Sequence, residues 1–364
     1  MKNFFAFLRQ IDWFIAAPII VLLCFSLAEL YSVSLGQEGA HELFSKQLWF
    51  VAIGLVVFFV LALTDFHHLY SYSNYLYVFG FIMLLGVLLF GQTINGTRGW
   101  FGLFGFGIQP VELVKVILII GLARYFAKTS VPIRPFKHFF TTGIFTGLLI
   151  ILVMLQPDLG SAALLFAIWG IFLLAVDFPK KYIGFIAAAL FIIFALAWQF
   201  AFKDYQRERI ISYVRPSATS TNYNVKQAII AVGAGGWAGR GLGFGSQSQL
   251  KFLPEASTDF IFAVISEELG LIGVVVVLSC FGFFLFRCFS VLGRSRNYFG
   301  SLLIVGGAGL IFIEMFINIG MNMGILPVIG IPLPFVSYGG SSLIAHLALA
   351  GVMHSVVRYS AAKR

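Results

Sequence analysis

Residues 259–286 read DFIFAVISEELGLIGVVVVLSCFGFFLF, an apolar run that opens on an aspartate and carries two adjacent glutamates. A helix needs about 20 mainly apolar residues to cross the hydrocarbon core of a bilayer. This run has them, and it is not alone. Comparable windows occur at about 12–33, 46–64, 75–91, 111–126, 139–155, 160–176, 182–202, 300–323 and 341–357. Together they predict an all-α polytopic membrane protein of ten transmembrane helices. One domain covers 1–364, with a large extracytoplasmic loop, 203–258, between helices seven and eight.

Composition agrees. Of 364 residues, 60% are hydrophobic and only 11% charged, whereas a soluble chain is roughly a quarter charged. Forty-two phenylalanines suit a lipid solvent. The basic start up to Gln10 has no small-residue cleavage site after the first apolar run, so that run reads as an anchor. Cys24, Cys280 and Cys288 lie in or beside apolar segments without pairing or metal spacing, and read as packing residues. The net charge of +9 has no soluble basic domain through which to bind nucleic acid. It reads as topology information instead.

With the N-terminus inside, the inner segments collect Lys2, Arg9, Arg124, Lys128, Arg134, Lys137, Lys180, Lys181, Arg287, Arg294, Arg296, Arg358, Lys363 and Arg364. The short outer connections hold Lys46 and Arg98. Long loops largely escape the positive-inside rule. The expectation is a multi-pass protein of a bacterial inner membrane with both termini cytoplasmic.

Ionisable groups inside spans are costly and are usually paired or functional. Glu112 and Lys115, three apart on one helical face, read as a neutralising pair or as the floor of a polar cavity, and the two readings are compatible. Glu267 and Glu268 lie roughly 12–14 Å deeper than Asp259 at about 1.5 Å per residue, and only one of them can face a given cavity. Glu314 needs a partner from another helix or a raised pKa. His346 reads as a packing histidine. In the turn Gln156-Pro157-Asp158-Leu159-Gly160, Asp158 is either a helix cap or a polar group facing an outer site.

The 203–258 segment is too long for a plain connection, which points to function. It carries Arg207, Arg209, Arg215, Lys226, Arg240 and Lys251, and a glycine run, GAGGWAGRGLGFG, over 233–245. Gly235, Gly236 and their neighbours could form an anion nest for a phosphate-bearing ligand, or simply a flexible or re-entrant loop. No Gly-Lys-Ser/Thr follows, so this is not a P-loop. Asp259 stands where the loop meets the membrane. It could be a helix cap favoured by the dipole or a base that takes a proton from a hydroxyl nucleophile, with Glu255 as an alternative base.

Several motifs now combine. They are QPVELVK (109–115), QPDLG (156–160), YNVKQA (223–228), the glycine run, LPEASTDFIF (253–262) with EELG (267–270), and GIPLPFVSYGGSS (330–342). Together they resemble the SEDS family, the RodA and FtsW proteins of bacterial elongation and division, across essentially the whole chain. The GIPLP form looks more like the RodA branch than the FtsW branch. The sequence departs from the family pattern at Val111 and Ala234 (usually Ser), at Ser257 (often His) and at Arg98-Gly99-Trp100 (usually an adjacent Arg-Trp). None of these removes an acidic or basic group.

The resemblance implies a peptidoglycan glycosyltransferase that polymerises lipid II. Its essential aspartate falls on Asp259, and its helix-four Glu and Lys on Glu112 and Lys115. Ser337 and Ser341 of the closing motif join Arg207, Arg209, Arg215, Lys226, Gly235, Gly236, Lys251 and Glu255 as candidate substrate-binding residues; Asp158 and Glu267 join the cavity set. Undecaprenyl pyrophosphate would leave. A divalent cation such as Mg or Mn suits that leaving group, but no ligand set for it is evident. The implied partner is a class B penicillin-binding protein transpeptidase. The rival readings are an FtsW-like polymerase, a lipid II flippase using Glu314, Glu267 and the Glu112–Lys115 pair, and a scaffold that only docks another enzyme.

Overall fold

A computed structural model describes residues 11–35, 40–94, 96–103, 106–129, 135–176, 178, 184, 207, 211, 213, 220–292 and 297–362. The elements are α1 (Trp13–Leu35), α2 (Ala40–Leu63), α3 (His67–Phe90), β1 (Gln92–Ile94), β2 (Thr97–Leu103), β3 (Phe106–Ile108), α4 (Pro110–Lys128), α5 (Pro135–Leu155) and α6 (Leu159–Ala175). After these come α7 (Ser220–Ala234), α8 (Ser246–Gln249), α9 (Ile261–Leu292), α10 (Tyr298–Asn322) and α11 (Gly340–Ala362).

The protein is mostly helical, and seven of these helices are long and apolar enough to cross a membrane: α1, α2, α3, α5, α9, α10 and α11. It is a multi-pass membrane protein. The 17 residues of α6 fall short of that length. The expected span at 182–202 lies outside the described residues.

Helices α2, α3 and α5 start several residues before their apolar windows. The first turns of α3, His67 to Tyr77, hold His, Tyr, Ser and Asn, residues that suit the membrane–water boundary and that helical geometry tolerates.

The all-α expectation needs one correction. Residues 92–108 form a three-stranded antiparallel meander in the order β1-β2-β3. Arg98 ties it to the end of α3, its Nε donating to the Gly91 carbonyl (3.2 Å) and its Nη2 to that of Leu89 (3.0 Å). Those carbonyls sit at the helix C-terminus and have no intrahelical partner.

Helix α4 lies inside the bundle against α3, α5, α6, α10 and α11, with nearly all of its first four turns buried. A helix enclosed by protein can carry charges that a lipid-facing helix cannot. This is why α4 holds Glu112 and Lys115.

A second correction concerns the run quoted at the outset. Helix α9 is broken at Gly270 (φ 63°). Its first part, Ile261–Leu269, is buried almost throughout: Ile261, Phe262 and Ile265 join the main core, while Ala263 and Val264 pack in a separate small core with Val33, Ala228, Ala231, Leu253, Ala256 and Met321. The second part runs on to Leu292 with lipid-facing residues such as Ile272, Phe283 and Phe286 exposed.

One end of the bundle gathers the meander, Asp158, the glycine run, Asp259 and the 330–339 loop. The other end is closed by the Asp12–Arg287 ion pair (2.5 Å) and by the Asp12 backbone N–H donating to His354 Nε2 (2.7 Å).

Candidate active site

Asp259 is half-buried at the mouth of the short inner half of α9. Its backbone is held more firmly than the sequence suggests. The carbonyl of Asp259 accepts from two side-chain amides of α10, Asn318 Nδ2 (3.0 Å) and Asn322 Nδ2 (2.9 Å). The preceding carbonyls are also taken: Ser337 Oγ donates to that of Thr258 (2.6 Å), and the Tyr338 N–H to that of Ser257 (2.8 Å). Three consecutive carbonyls are thus fixed by α10 and by the 330–339 loop. Asn322 Oδ1 also accepts from the Ala263 N–H (3.1 Å), which it shares with the Phe260 carbonyl (3.0 Å) in the first turn of α9. Asp259 stands two residues before the first residue of α9, where the helix dipole is favourable to a negative charge. A half-buried carboxylate on a braced backbone is suited to accepting a proton.

Asn318 and Asn322 were not among the expected site residues. Their only sequence signal is i,i+4 spacing on an otherwise apolar helix, which puts two amides on one face. Gln47 of α2 was likewise missed. It is fully buried, donates to the Ser337 carbonyl (3.4 Å) and to Ser26 Oγ (3.1 Å), and accepts from the Gly339 N–H (3.5 Å). The loop it holds contains Phe335 in the left-handed region (φ 64°), a conformation that persists in a bulky residue only when the surroundings over-determine it.

The glycine run has a different role from an anion nest. The break at Gly270 would leave backbone groups unpaired within the membrane, where each costs several kcal/mol. The run supplies their partners. Arg240 N–H donates to the Glu267 carbonyl (3.0 Å) and Gly241 N–H to that of Glu268 (2.9 Å), while Leu271 and Ile272 donate to the carbonyls of Gly236 (2.9 Å) and Trp237 (3.2 Å). Contact is backbone to backbone: a Cβ on Gly235 would meet the Ser266 carbonyl oxygen at 1.7 Å, and one on Gly239 that of Glu268 at 2.1 Å. Gly235 and Gly236 therefore belong to this joint, their carbonyls accepting from Gly239 and Leu271.

Glu267 and Glu268 are both fully buried and anchor the 243–249 segment. Glu267 accepts from Ser246 Oγ (3.0 Å) and the Gln247 N–H (3.0 Å); Glu268 accepts from Ser32 Oγ (2.5 Å), the Gly243 N–H (3.0 Å) and Ser248 Oγ (3.2 Å). Different residues of the 243–249 segment reach the two carboxylates, Ser246 and Gln247 at Glu267 and Gly243 and Ser248 at Glu268.

The membrane charges form one chain. Lys115 Nζ lies 3.0 Å from Glu112 Oε2 and 2.6 Å from Glu314 Oε1, and the other Glu314 oxygen lies 2.5 Å from His346 Nε2. The angle to Glu112 Oε2 is poor for a hydrogen bond, yet at that separation the charges still attract. His346 Nδ1 is 3.2 Å from Ser342 Oγ. The Glu112–Lys115 pair is present as expected, and Glu314 has found its partners on α4 and α11.

Asp158 caps α6, accepting from the Ser161 N–H (2.9 Å) and Ser161 Oγ (2.7 Å), and it also accepts from Gln109 Nε2 (3.1 Å). Ser341 Oγ accepts from the Gln109 N–H (2.9 Å) and lies 3.4 Å from the Gly107 carbonyl, to which it donates. Ser337 Oγ accepts from the Leu333 N–H (2.8 Å) besides donating to Thr258. Both serines are engaged within the protein, Ser337 framing the Thr258 carbonyl and Ser341 the Gly107–Gln109 turn.

Among the basic candidates, Arg207 is half-buried, Lys226 is exposed on α7, and Lys251 is exposed with a left-handed backbone (φ 60°). Arg209 and Arg215 lie outside the described residues. Glu255 is exposed and accepts from Thr258 Oγ1 (2.9 Å). Burial pushes the Tyr338 hydroxyl above its usual pKa, with Lys46 opposing and Glu42 reinforcing. Tyr338 is a donor rather than a base at neutral pH. Among the described residues, no group of three or more His, Cys, Asp or Glu comes together as a metal site.

Comparison with known proteins adds the family. A model of the FtsW, RodA and SpoVE cell cycle proteins matches residues 7–362. The peptidoglycan glycosyltransferase MrdB of Escherichia coli (strain K12) is 35% identical over 344 residues, covering 93% of this chain and 91% of that protein. A chain solved under the heading of structural coordination of polymerization and crosslinking by a peptidoglycan synthase complex superposes with a TM-score of 0.80 at 28% identity, covering 96% of this chain and 98% of that one. The crystal structure of the rod shape determining protein RodA of Thermus thermophilus gives 0.72 at 28% identity, covering 96% and 97%. With a buried charge chain, a braced aspartate and a match along nearly its whole length, the chain belongs to the FtsW/RodA/SpoVE family of cell cycle proteins.

Proposed function

We propose that this protein is a peptidoglycan glycosyltransferase of the RodA type that polymerises lipid II into glycan strands for cell elongation. The observation that carries the mechanism is the bracing of Asp259 by Asn318 and Asn322 at the start of a buried half-helix. Asp259 takes the proton from the 4-hydroxyl of the acceptor GlcNAc. The hydroxyl oxygen attacks the anomeric carbon of the donor MurNAc, the bond from that carbon to the pyrophosphate oxygen breaks, and undecaprenyl pyrophosphate leaves with the electron pair. Negative charge grows on the departing group, so cations near it stabilise the transition state. Arg207, Arg209, Arg215, Lys226 and Lys251 are the groups assigned to it. Glu255 is the reserve base.

The chain acts as one domain with ten spans, in a bacterial inner membrane, with both termini cytoplasmic and the 203–258 loop outside. The gathering of basic residues into the short connections of one side supports this orientation. A class B penicillin-binding protein transpeptidase is the proposed partner, in keeping with the synthase-complex chain to which this one is similar. The flippase reading loses its main support, because Lys115, Glu112, Glu314, Glu267 and Glu268 are engaged with one another or with the outer segment. Incubation of the purified protein with lipid II, with products resolved by gel, tests the proposal. Glycan ladders with release of undecaprenyl pyrophosphate are expected; unchanged lipid II with and without the partner would refute it.

A further inference from the structure

At the end of the bundle away from Asp259, the C-terminal part of α4 opens with α3 and α5 onto a cavity of about 370 Å³. Its walls are largely apolar, with Leu122 and Phe145 among them, and carry a set of polar and basic groups. Arg124 and Lys128 come from α4, Ser73 and Asn74 from α3, and Thr141 from α5, with the ring of Tyr125 as one wall. Among the described residues, no carboxylate lies within 4 Å of either cation. Arg124 is held in place rather than neutralised: its Nη1 donates to Asn74 Oδ1 (2.5 Å), and its guanidinium carbon stands 5.3 Å from the Tyr70 ring centre. A guanidinium has five N–H donors, so most remain to be satisfied.

Two rows of exposed apolar side chains climb from this cavity toward the other end of the bundle, on the helix faces that carry Asn74 and Thr141: Val78, Leu85 and Leu89 on α3 and Ile144, Leu148 and Leu155 on α5. Within each row the spacing keeps the side chains near one helix face. A basic, hydroxyl-lined cavity opening between two apolar rows matches a molecule with a phosphodiester head and two acyl tails. Basic pockets between membrane helices on the cytoplasmic side bind the head groups of anionic lipids.

We propose that this cavity is a binding site for an anionic phospholipid, with Arg124 and Lys128 on the phosphodiester, Asn74, Ser73 and Thr141 around the head group, and the tails along α3 and α5. The site is remote from Asp259 and independent of the polymerase reading. A free phosphate would share the head-group chemistry but would make no use of the apolar rows, so the test separates the two sources.

The full chain, purified in detergent, is examined by native mass spectrometry with added phosphatidylglycerol or phosphatidylcholine, alone and with millimolar inorganic phosphate. Phosphatidylglycerol should stay bound at collision energies that strip phosphatidylcholine, and inorganic phosphate should not displace it. The Arg124→Gln/Lys128→Gln double variant should lose phosphatidylglycerol retention by roughly tenfold or more. Lys137→Gln, a nearby charge outside the lining, should retain it, and melting curves check that both variants are folded. Equal retention of the two lipids, displacement by inorganic phosphate, or undiminished phosphatidylglycerol binding in the folded double variant would overturn the assignment. If the double variant does not fold, Arg124→Lys replaces it, and unchanged retention there together with equal retention of the two lipids by the parent would also overturn it.

Discussion

Asn322 is joined to both sides of Asp259: its Nδ2 donates to the Asp259 carbonyl at 2.9 Å, while its Oδ1 accepts from the backbone N–H of Ala263 at 3.1 Å. One side chain thereby locks the orientation of the aspartate to the helix that follows it. Asn318 adds a second donor to the same carbonyl and a third bond, to the Ile331 carbonyl (2.8 Å).

Replacing Asn322 by Asp exchanges a donor for a buried carboxylate beside a carbonyl. Removing one partner of a buried hydrogen bond costs about 1–3 kcal/mol, and more when a charge is left. Polymerisation by Asn322→Asp should fall by about tenfold or more, and Asn318→Ala should lose less, because it removes a donor without placing a buried charge beside the Asp259 carbonyl. Initial rates on lipid II, read beside melting temperatures, separate loss of positioning from loss of fold.

The joint at Gly270 predicts a contrast between glycines. At Gly235 an added methyl collides with the Ser266 carbonyl oxygen, whereas at Gly233, inside α7, nothing lies within 4 Å. Gly235→Ala should destabilise by about 1–3 kcal/mol or more through forced backbone shifts. Gly233→Ala should be neutral or stabilising by up to about 1 kcal/mol, the usual gain in helix propensity. Thermal unfolding in detergent measures both.

Lys115 is the cation shared by two buried carboxylates. Breaking a buried pair by deleting one partner costs about 3–5 kcal/mol, since a charge is left uncompensated. Lys115→Met should show this loss in a denaturation assay. Adding Glu314→Gln should recover part of it, as one of the two stranded charges disappears. A double variant as unstable as the sum of the single ones would deny the coupling.

Glu29 on α1 is fully buried, neither of its carboxylate oxygens has a hydrogen-bond partner among the described residues, and Glu268 is its electrostatic neighbour. A buried carboxylate without a partner is a net cost. Glu29→Met should therefore raise stability by about 1–3 kcal/mol with polymerisation retained. A fall in melting temperature would show that this carboxylate is satisfied by something beyond the protein.

These relationships mark where the sequence could be read and where it could not. Long apolar runs are legible because lipid penalises anything else, and Glu112–Lys115 is legible because helical spacing alone makes the pair. Asp158 showed its capping role through the Pro157 and Gly160 around it. Glu314 could not reveal Lys115 or His346, which reach it from other helices. The break at Gly270 was hidden because a glycine inside a long apolar run reads as tolerated; only the backbone of 236–241 beside it makes the break affordable. The same glycines suit either an anion nest or a close backbone approach, and composition does not distinguish the two. The meander at 92–108 was missed because its strands are short and interrupted by glycine.

The central claim is that Asp259 is the base. The most direct measurement is the rate of lipid II polymerisation by purified Asp259→Ala beside the parent and Glu255→Ala, with each protein's folding verified by its melting curve. Glycan ladders should vanish for Asp259→Ala and persist for Glu255→Ala. A folded Asp259→Ala protein that polymerises at the parent rate would contradict the account.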